Sequence, residues 1–346
     1  MQGTNCRVVN LFGRDFSAMT EHQQVYWLGK ARRYWREQGF PYPTLSTTEK
    51  NHEFALLRSV KPDSIVKRDL IAHSTVGLRL ANTFHPQMWR MRVHGRSPFE
   101  LFGDDQRLTR ALRKAAGFWP DRRCWNAQCL RSVLRIMHRL RVSNFRPTVA
   151  RALLQRYSAS GDAVLDFSAG YGGRLLGALS LERTYTGIDP DPAQFCGLKA
   201  LVEAMSDQSL GTPHLIRGCA EEILPTLTSK SFSVVFSSPP YFNREKYSDD
   251  PSQSYLRYPT YEEWKEQFLG TVLRESFRLL ENGGYLILNV ANTGDFAIAT
   301  DADEICRRHF GRPRVLRMLM ASTPTSRATP WKSKYRWEPI YVYKKA

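Results

Sequence analysis

No two cysteines stand as a C-x-x-C pair. Cys6, Cys124, Cys129, Cys196, Cys219 and Cys306 are scattered over 346 residues. That spacing excludes a zinc ribbon, and Cys124 and Cys129 with His138 read as plain thiols and a plain histidine in a reducing compartment, with no metal expected. No apolar run approaches the roughly 18–20 residues of a membrane span, so no membrane partner is expected. The opening stretch "MQGTNCRVVNLFGRDF" has no continuous apolar block. The expectation is therefore a cytoplasmic chain without a signal peptide. Internal repeats and low-complexity tracts are absent. So are G-x-x-x-x-G-K-[ST] and a complete G-x-G-x-x-G, which argues against a triphosphate loop and a full dinucleotide fingerprint.

Acidic residues are scarce in one part of the chain. Residues 1–142 hold 25 Lys and Arg against 11 Asp and Glu, a net +14, while residues 143–346 hold 25 against 22, a net +3. Twenty of the first 25 are arginine, which forks onto phosphates and guanine edges. Such one-sided charge points to a polyanion, most simply a nucleic acid. The chain divides on this basis into a basic, mostly helical recognition domain, 1–142, and a second domain, 143–346. In the first, "QRLTRALRKAAGF" (106–118) and "CLRSVLRIMHRLRV" (129–142) read as basic amphipathic helices; the former suits a groove of DNA, and packing with a solvated basic face stays open for either. "RLANTFHPQMWRMRVHGRSPF" (79–99) interleaves Arg79, Arg90, Arg92 and Arg96 with Phe84, Trp89 and Phe99, a mixture suited to phosphates and unstacked bases. His85 and His94 read as core or surface histidines.

From Ala163 onward, short β-rich runs alternate with helical stretches. The runs are 163–167, 184–188, 214–217, 232–236, 285–290, 314–320 and 340–344. Alternation of this kind predicts an α/β fold with a parallel sheet covered on both faces. Too little chain separates the last two runs for a helix, so the final strand is expected to be antiparallel. Between the fourth and fifth runs, Trp264, Phe268 and Val272 recur every four residues and predict a helix over 261–280, stopped by Asn282-Gly283-Gly284.

The first run ends in "DFSAGYGG" (166–173), a strand-to-helix turn in which Gly170 and Gly172 allow close backbone approach to a ligand. The second run ends in Asp189, placed to accept hydrogen bonds from ribose hydroxyls. An acidic residue opening the loop suits an ammonium group better than a pyrophosphate. Asp166 is accordingly expected to hold the amino group of a methionine moiety, and S-adenosylmethionine is the expected cofactor. The fourth run ends in Ser238-Pro239-Pro240-Tyr241. Proline donates no hydrogen bond, so the strand must stop there, in a stiff turn on the same edge as Asp166 and Asp189.

"SNFRP" (143–147), "DFSAGYGG", "IDPD" (188–191), "SPPYF" and "WEPIYVYKK" (337–345) occur in the order and spacing of the DNA amino-methyltransferases, and over about 143–346 the chain resembles that family. The resemblance implies a Rossmann-like seven-stranded methyltransferase sheet with its last strand antiparallel. It implies methyl transfer from S-adenosylmethionine to the exocyclic amine of a flipped DNA base. Serine at the first position of the motif leans toward cytosine N4 over adenine N6. The Ser238 side chain and the Pro239 carbonyl would accept the two N–H bonds of the amine, Pro240 would hold the turn rigid and Tyr241 would stack on the base. Phe145, Pro147, Gly170 and Gly172 would line the cofactor, with Asp189 on ribose. Two positions depart from the family. Ser168 stands where many relatives have phenylalanine. At the adenine end, Cys219-Ala220 replaces an acidic residue, with Glu221 as the nearest substitute. No Pro-Cys pair is present for covalent cytosine-5 chemistry. Methylation of RNA or of a protein glutamine amide stays open beside the DNA reading, as does an inactive nucleic-acid binder. Recognition is expected from 1–142, since little chain follows residue 345, aided by the insert 243–259 beside the target pocket.

Overall fold

The computed structural model describes residues 16–92, 95–118, 125–138, 144–244, 246–320 and 336–346. Two compact units divide the chain: Met1–Thr47 with Pro86–Ser143, and Thr48–His85 with Asn144–Ala346. The expected cut near residue 143 is therefore incomplete, because 48–85 belongs with the second unit. Its helix Leu78–Thr83 explains part of this: Asn82 receives a hydrogen bond from Asn144, and Gly77 sits against Pro147.

Among the described residues nine strands form one sheet: β1 (Val66–Lys67), β2 (Leu70–Ile71), β3 (Ala163–Asp166), β4 (Thr184–Asp189), β5 (Thr212–Arg217), β6 (Phe232–Ser237), β7 (Leu280–Asn289), β8 (Arg314–Met320) and β9 (Arg336–Lys344). Their order is β1-β2-β8-β9-β7-β6-β3-β4-β5. The pairs from β5 to β7 are parallel, and β9 runs antiparallel between β7 and β8. Seven of these strands match the seven β-rich runs. The two extra ones correct the expected count: β1 and β2 form a short hairpin, and β2 adds to the free edge of β8, where Asp69 pairs with Arg314. Two-residue strands are too short to leave an alternating signature in sequence.

The order places the carboxyl ends of β3 and β6 side by side at the centre, with β4 and β7 flanking them. On one face of this centre Leu165, Ile188, Val235, Leu286 and Leu288 pack under Trp264 and Phe268. The helix expected over 261–280 is present but widens into a π-helical segment, Trp264–Gly270. It ends at Leu279 and passes directly into β7. Asn282-Gly283-Gly284 therefore lies within β7, where the register against β6 slips by several residues and Gly283 takes a φ of 84°. The helical stop comes from the sheet, through the pairing of Phe232 with Leu280.

In the first unit the helices Glu21–Gln38, Asp105–Phe118 and Ala127–His138 pack together on Leu28, Leu108, Leu112, Leu130 and Val133. Among the described residues no helix is long and apolar enough to cross a membrane.

Candidate active site

Strand β3 ends in Asp166, which is fully buried. A lone carboxylate at such a place is costly, so it needs donors. Five reach it. Arg174 contributes Nε at 2.7 Å and Nη2 at 3.2 Å, Tyr185 its hydroxyl at 2.7 Å, Ser237 its hydroxyl at 2.8 Å and Ser168 its backbone N–H at 3.2 Å. Burial works against the Arg174 charge, but the adjacent Asp166 outweighs it and raises the guanidinium pKa. The ammonium contact expected of Asp166 is thus replaced from within the chain. Arg174 stands where the cation was expected, and the carboxylate is saturated.

Arg174 continues past Asp166. Its Nη2 also donates to the Ser168 carbonyl, and its Nη1 donates to Ser238 Oγ at 3.0 Å. The cofactor loop and the Ser-Pro-Pro-Tyr turn are therefore joined by one side chain. Ser238 Oγ in turn donates to Asn289 Oδ1 at 3.4 Å, and Asn289 Nδ2 donates to Glu338 Oε1 at 2.9 Å. Tyr241 donates its hydroxyl to the same Glu338 oxygen at 3.3 Å. With one lone pair of Oγ taken by Arg174 and its proton directed at Asn289, Ser238 keeps one lone pair for a further donor.

Phe242, just after the turn, has a φ of 49°. That is the left-handed region, where a bulky side chain is strained. Rings of Tyr261, Trp264 and Phe296, with centroids 5.1–5.8 Å away, trap Phe242 in a buried box. Two prolines and this box fix the turn from both sides.

Asp189, at the end of β4, is arranged differently. Its Oδ2 accepts the Gly170 N–H at 2.8 Å and its Oδ1 the Asp191 N–H at 3.1 Å. Each oxygen keeps a lone pair, and among the described residues no cation forms an ion pair with it. Burial pushes its pKa up to about 7, against the two backbone hydrogen bonds, which lower it. Gly170 and Gly172 take φ values of 55° and 74°, which bend the loop between the two acidic strand ends. Residues 144–147 pack against this loop: Asn144 accepts from the Gly173 N–H and donates to the Tyr171 carbonyl, and a Cβ at Gly173 would lie 1.9 Å from the Phe145 carbonyl oxygen. The Phe145 ring meets Phe236 edge-on at 5.3 Å and lies under the Arg174 guanidinium, while Pro147 starts the helix Pro147–Tyr157.

At the end of β5, Cys219 and Ala220 are buried, and burial raises the Cys219 thiol pKa. The substitute acid, Glu221, is engaged by the Tyr258 hydroxyl at 3.2 Å and by Arg257 at 3.5 Å. The insert starts directly after the turn, where Arg244 pairs with Asp295 at 2.7 Å. Ser248 and Gln253 donate to Asp191, Ser252 to the Pro190 carbonyl, and Cys219 Sγ to the Ser252 carbonyl. It thus runs across the ends of β4 and β5, on the Asp189 side, because Asp191 spends its second oxygen there while its first caps the helix Pro192–Met205.

The arginines expected to bind nucleic acid are mostly occupied. Arg79, in the second unit, pairs with Glu49 at 2.7 Å; Arg92 pairs with Glu100; Arg96 pairs with Asp104 at 2.8 Å; Arg90 stacks on Phe99 at 3.8 Å. His85 is buried, shares a hydrogen with Gln194 and has its pKa lowered by burial to about 4, which makes it a core histidine; His94 lies outside the described residues. Arg174, Asn289 and Glu338 were missed by sequence reasoning. A charged residue opening the apolar stretch "RLLGALSL" and a lone amide in "YLILNV" were the available signals.

The parallel order β5-β4-β3-β6-β7, closed by an antiparallel β9 inserted before β8, decides the architecture. It is the Rossmann-like methyltransferase fold. No protein-family model matches the chain. No curated protein matches it either. Among solved structures it is similar to TrmN from Thermus thermophilus, with 16% identity and a TM-score of 0.41, over 58% of this chain and 49% of that one. The chain thus spans about half the length of that relative. It is also similar to a methyltransferase from Pyrococcus furiosus, with 16% identity and a TM-score of 0.38 over 58% of this chain and 83% of that one. A SAM-dependent O-methyltransferase from Thermotoga maritima gives 12% identity and a TM-score of 0.38 over 61% and 70%.

Proposed function

We propose that this chain transfers a methyl group from S-adenosylmethionine to the exocyclic amine of a base in DNA, cytosine N4 ahead of adenine N6. The observation that carries this reading is the shared edge: Ser238 and the acidic ends of β3 and β4 meet there, and Arg174 ties the first two together. S-adenosylmethionine, when bound, supplies an electrophilic methyl group on a sulfonium sulfur. The residues fit it at the ribose end, where Asp189 keeps an acceptor site on each oxygen for two hydroxyls. They do not offer Asp166 to its ammonium group.

An exocyclic amine is a poor nucleophile because its lone pair is delocalised into the ring. Ser238 Oγ, with one lone pair left, and the Pro239 carbonyl would accept its two N–H bonds, favour a pyramidal nitrogen and free the lone pair. Holding that nitrogen in one orientation supplies the rest. Tyr241, tied to Glu338, would face the base. Glu338, two hydrogen bonds beyond Ser238 through Asn289, would hold that amide and the Tyr241 hydroxyl in place, and the proton lost from nitrogen would leave to water. The basic excess of residues 1–142 supports a nucleic-acid substrate over a protein glutamine.

A pH dependence follows for the cofactor. Hydroxyl donors favour ionised Asp189, whose pKa is about 7 when the site is free. Binding then releases a proton below that pH, so affinity should rise about tenfold from pH 6 to pH 8. Calorimetric titration checks this, and Asp189→Asn should weaken binding and flatten the dependence. The sign for stability is opposite. A carboxyl whose folded-state pKa is raised favours the fold most at low pH, and that contribution is lost as pH rises from about 4 through 7.

The class of substrate is tested by offering methyl-labelled cofactor with duplex DNA, RNA and protein in parallel. Label in DNA is the expected result. Label confined to RNA or to a glutamine would overturn the choice of substrate, and cofactor binding with no transfer would leave a nucleic-acid binder.

A further inference from the structure

We infer that the exposed face of the helix Asp105–Phe118 is the surface that docks on duplex DNA; this rests on the nucleic-acid reading above and names the surface that serves it. The helix buries Leu108, Ala111, Leu112, Ala115 and Ala116. The opposite face shows Arg107, Arg110, Arg113 and Lys114 to solvent. At 100° per residue these four fall on one continuous arc, clear of the buried stripe.

What distinguishes this stripe is the state of its charges. Among the described residues, no carboxylate, carbonyl or ring pairs with Arg110, Arg113 or Lys114, and Arg107 reaches Asp104 only at 3.9 Å. The single acid within the helix, Asp105, is taken by Arg32 and Arg36 of the helix Glu21–Gln38. Arg110, Arg113 and Lys114 therefore face no counter-charge among the described residues. The arginines at 79, 92 and 96 instead meet their own carboxylates, and Arg90 lies on a ring.

From Arg107 to Lys114 the helix rises about 10 Å, the axial span of about three phosphates of one strand. A straight helix with cations along one side enters the roughly 12 Å major groove of B-form DNA. The deep, narrow groove of A-form RNA does not admit it. Duplex DNA is thus the partner that the shape and charge fit.

The test compares the full chain with the triple variant Arg110→Gln, Arg113→Gln, Lys114→Gln and with the control Arg92→Gln, Arg96→Gln. Fluorescence anisotropy reads binding to a labelled DNA duplex and an RNA duplex over a series of salt concentrations. Because the three positions are exposed and have no partner among the described residues, the triple variant should melt as the wild type does; Arg110→Gln and Lys114→Gln singly serve if it does not. The triple variant should bind DNA at least tenfold more weakly near 0.1 M salt, and the slope of log K against log salt should shrink by about 2–3. The control should stay within about threefold. DNA binding unchanged in the triple variant would overturn this inference alone. An RNA duplex held more tightly than DNA through the same residues would overturn DNA as the partner. No binding of either nucleic acid by the wild type would overturn the nucleic-acid reading itself.

Discussion

Ser238→Ala is expected to lower methyl transfer about 10²-fold or more while leaving cofactor affinity within a few-fold. The magnitude is that of removing one preorganised polar contact to a reacting group. The separation follows from geometry. Ser238 Oγ is bound by Arg174 and Asn289, and its remaining lone pair is the one proposed for the target amine. Asp189 and the glycine loop, which would hold the cofactor's ribose end, make no contact with that hydroxyl. The double variant Pro239→Ala, Tyr241→Ala should behave alike and more severely, since it loosens the turn and removes the ring that would face the base. Rate at saturating substrate and cofactor affinity by calorimetry check both variants. Equal loss of rate and affinity would contradict the division between the two halves of the site.

Arg174→Met is expected to cost about 3–5 kcal/mol of stability, the range for a buried ion pair broken from one side. Removing the guanidinium leaves the buried Asp166 charge with neutral donors only. Two features make the cost diagnostic. Arg174→Lys should recover only part, because an ammonium cannot reach two oxygens of Asp166, the Ser168 carbonyl and Ser238 together. Asp166→Leu combined with Arg174→Met should recover more than Arg174→Met alone, because no orphaned charge then remains. Denaturant unfolding measures all three. Wild-type stability in Arg174→Met would mean that the pair does not hold the loop. The Lys variant, where folded, should also transfer more slowly than wild type, since Ser238 loses its fixed donor.

Much of the fold was legible because β-rich runs buried on both faces leave uninterrupted apolar stretches, and all seven appeared where expected. The hairpin at β1 and β2 was not, since two residues carry no period. The end of the 261–280 helix was misplaced for a related reason: glycines signal a stop in isolation, but pairing of Leu280 with Phe232 stops the helix earlier. At the site, "SPPY" and both acidic strand ends were visible because prolines and aspartates interrupt apolar runs. The partners of those groups were not. Arg174 is eight residues from Asp166 and 64 from Ser238, and Glu338 lies 97 residues from Tyr241. Only the fold brings such residues together. Charge density in residues 1–142 was readable, but which arginines keep their charge available was a question of neighbours.

The most direct test is nucleoside analysis of duplex DNA after incubation with the protein and S-adenosylmethionine, with Ser238→Ala run alongside. N4-methylcytosine, or failing that N6-methyladenine, should accumulate with the wild type and be absent with the variant. Unmodified DNA, methyl groups on ring carbon, or a product undiminished in Ser238→Ala would contradict an amine-directed site at the serine–proline turn.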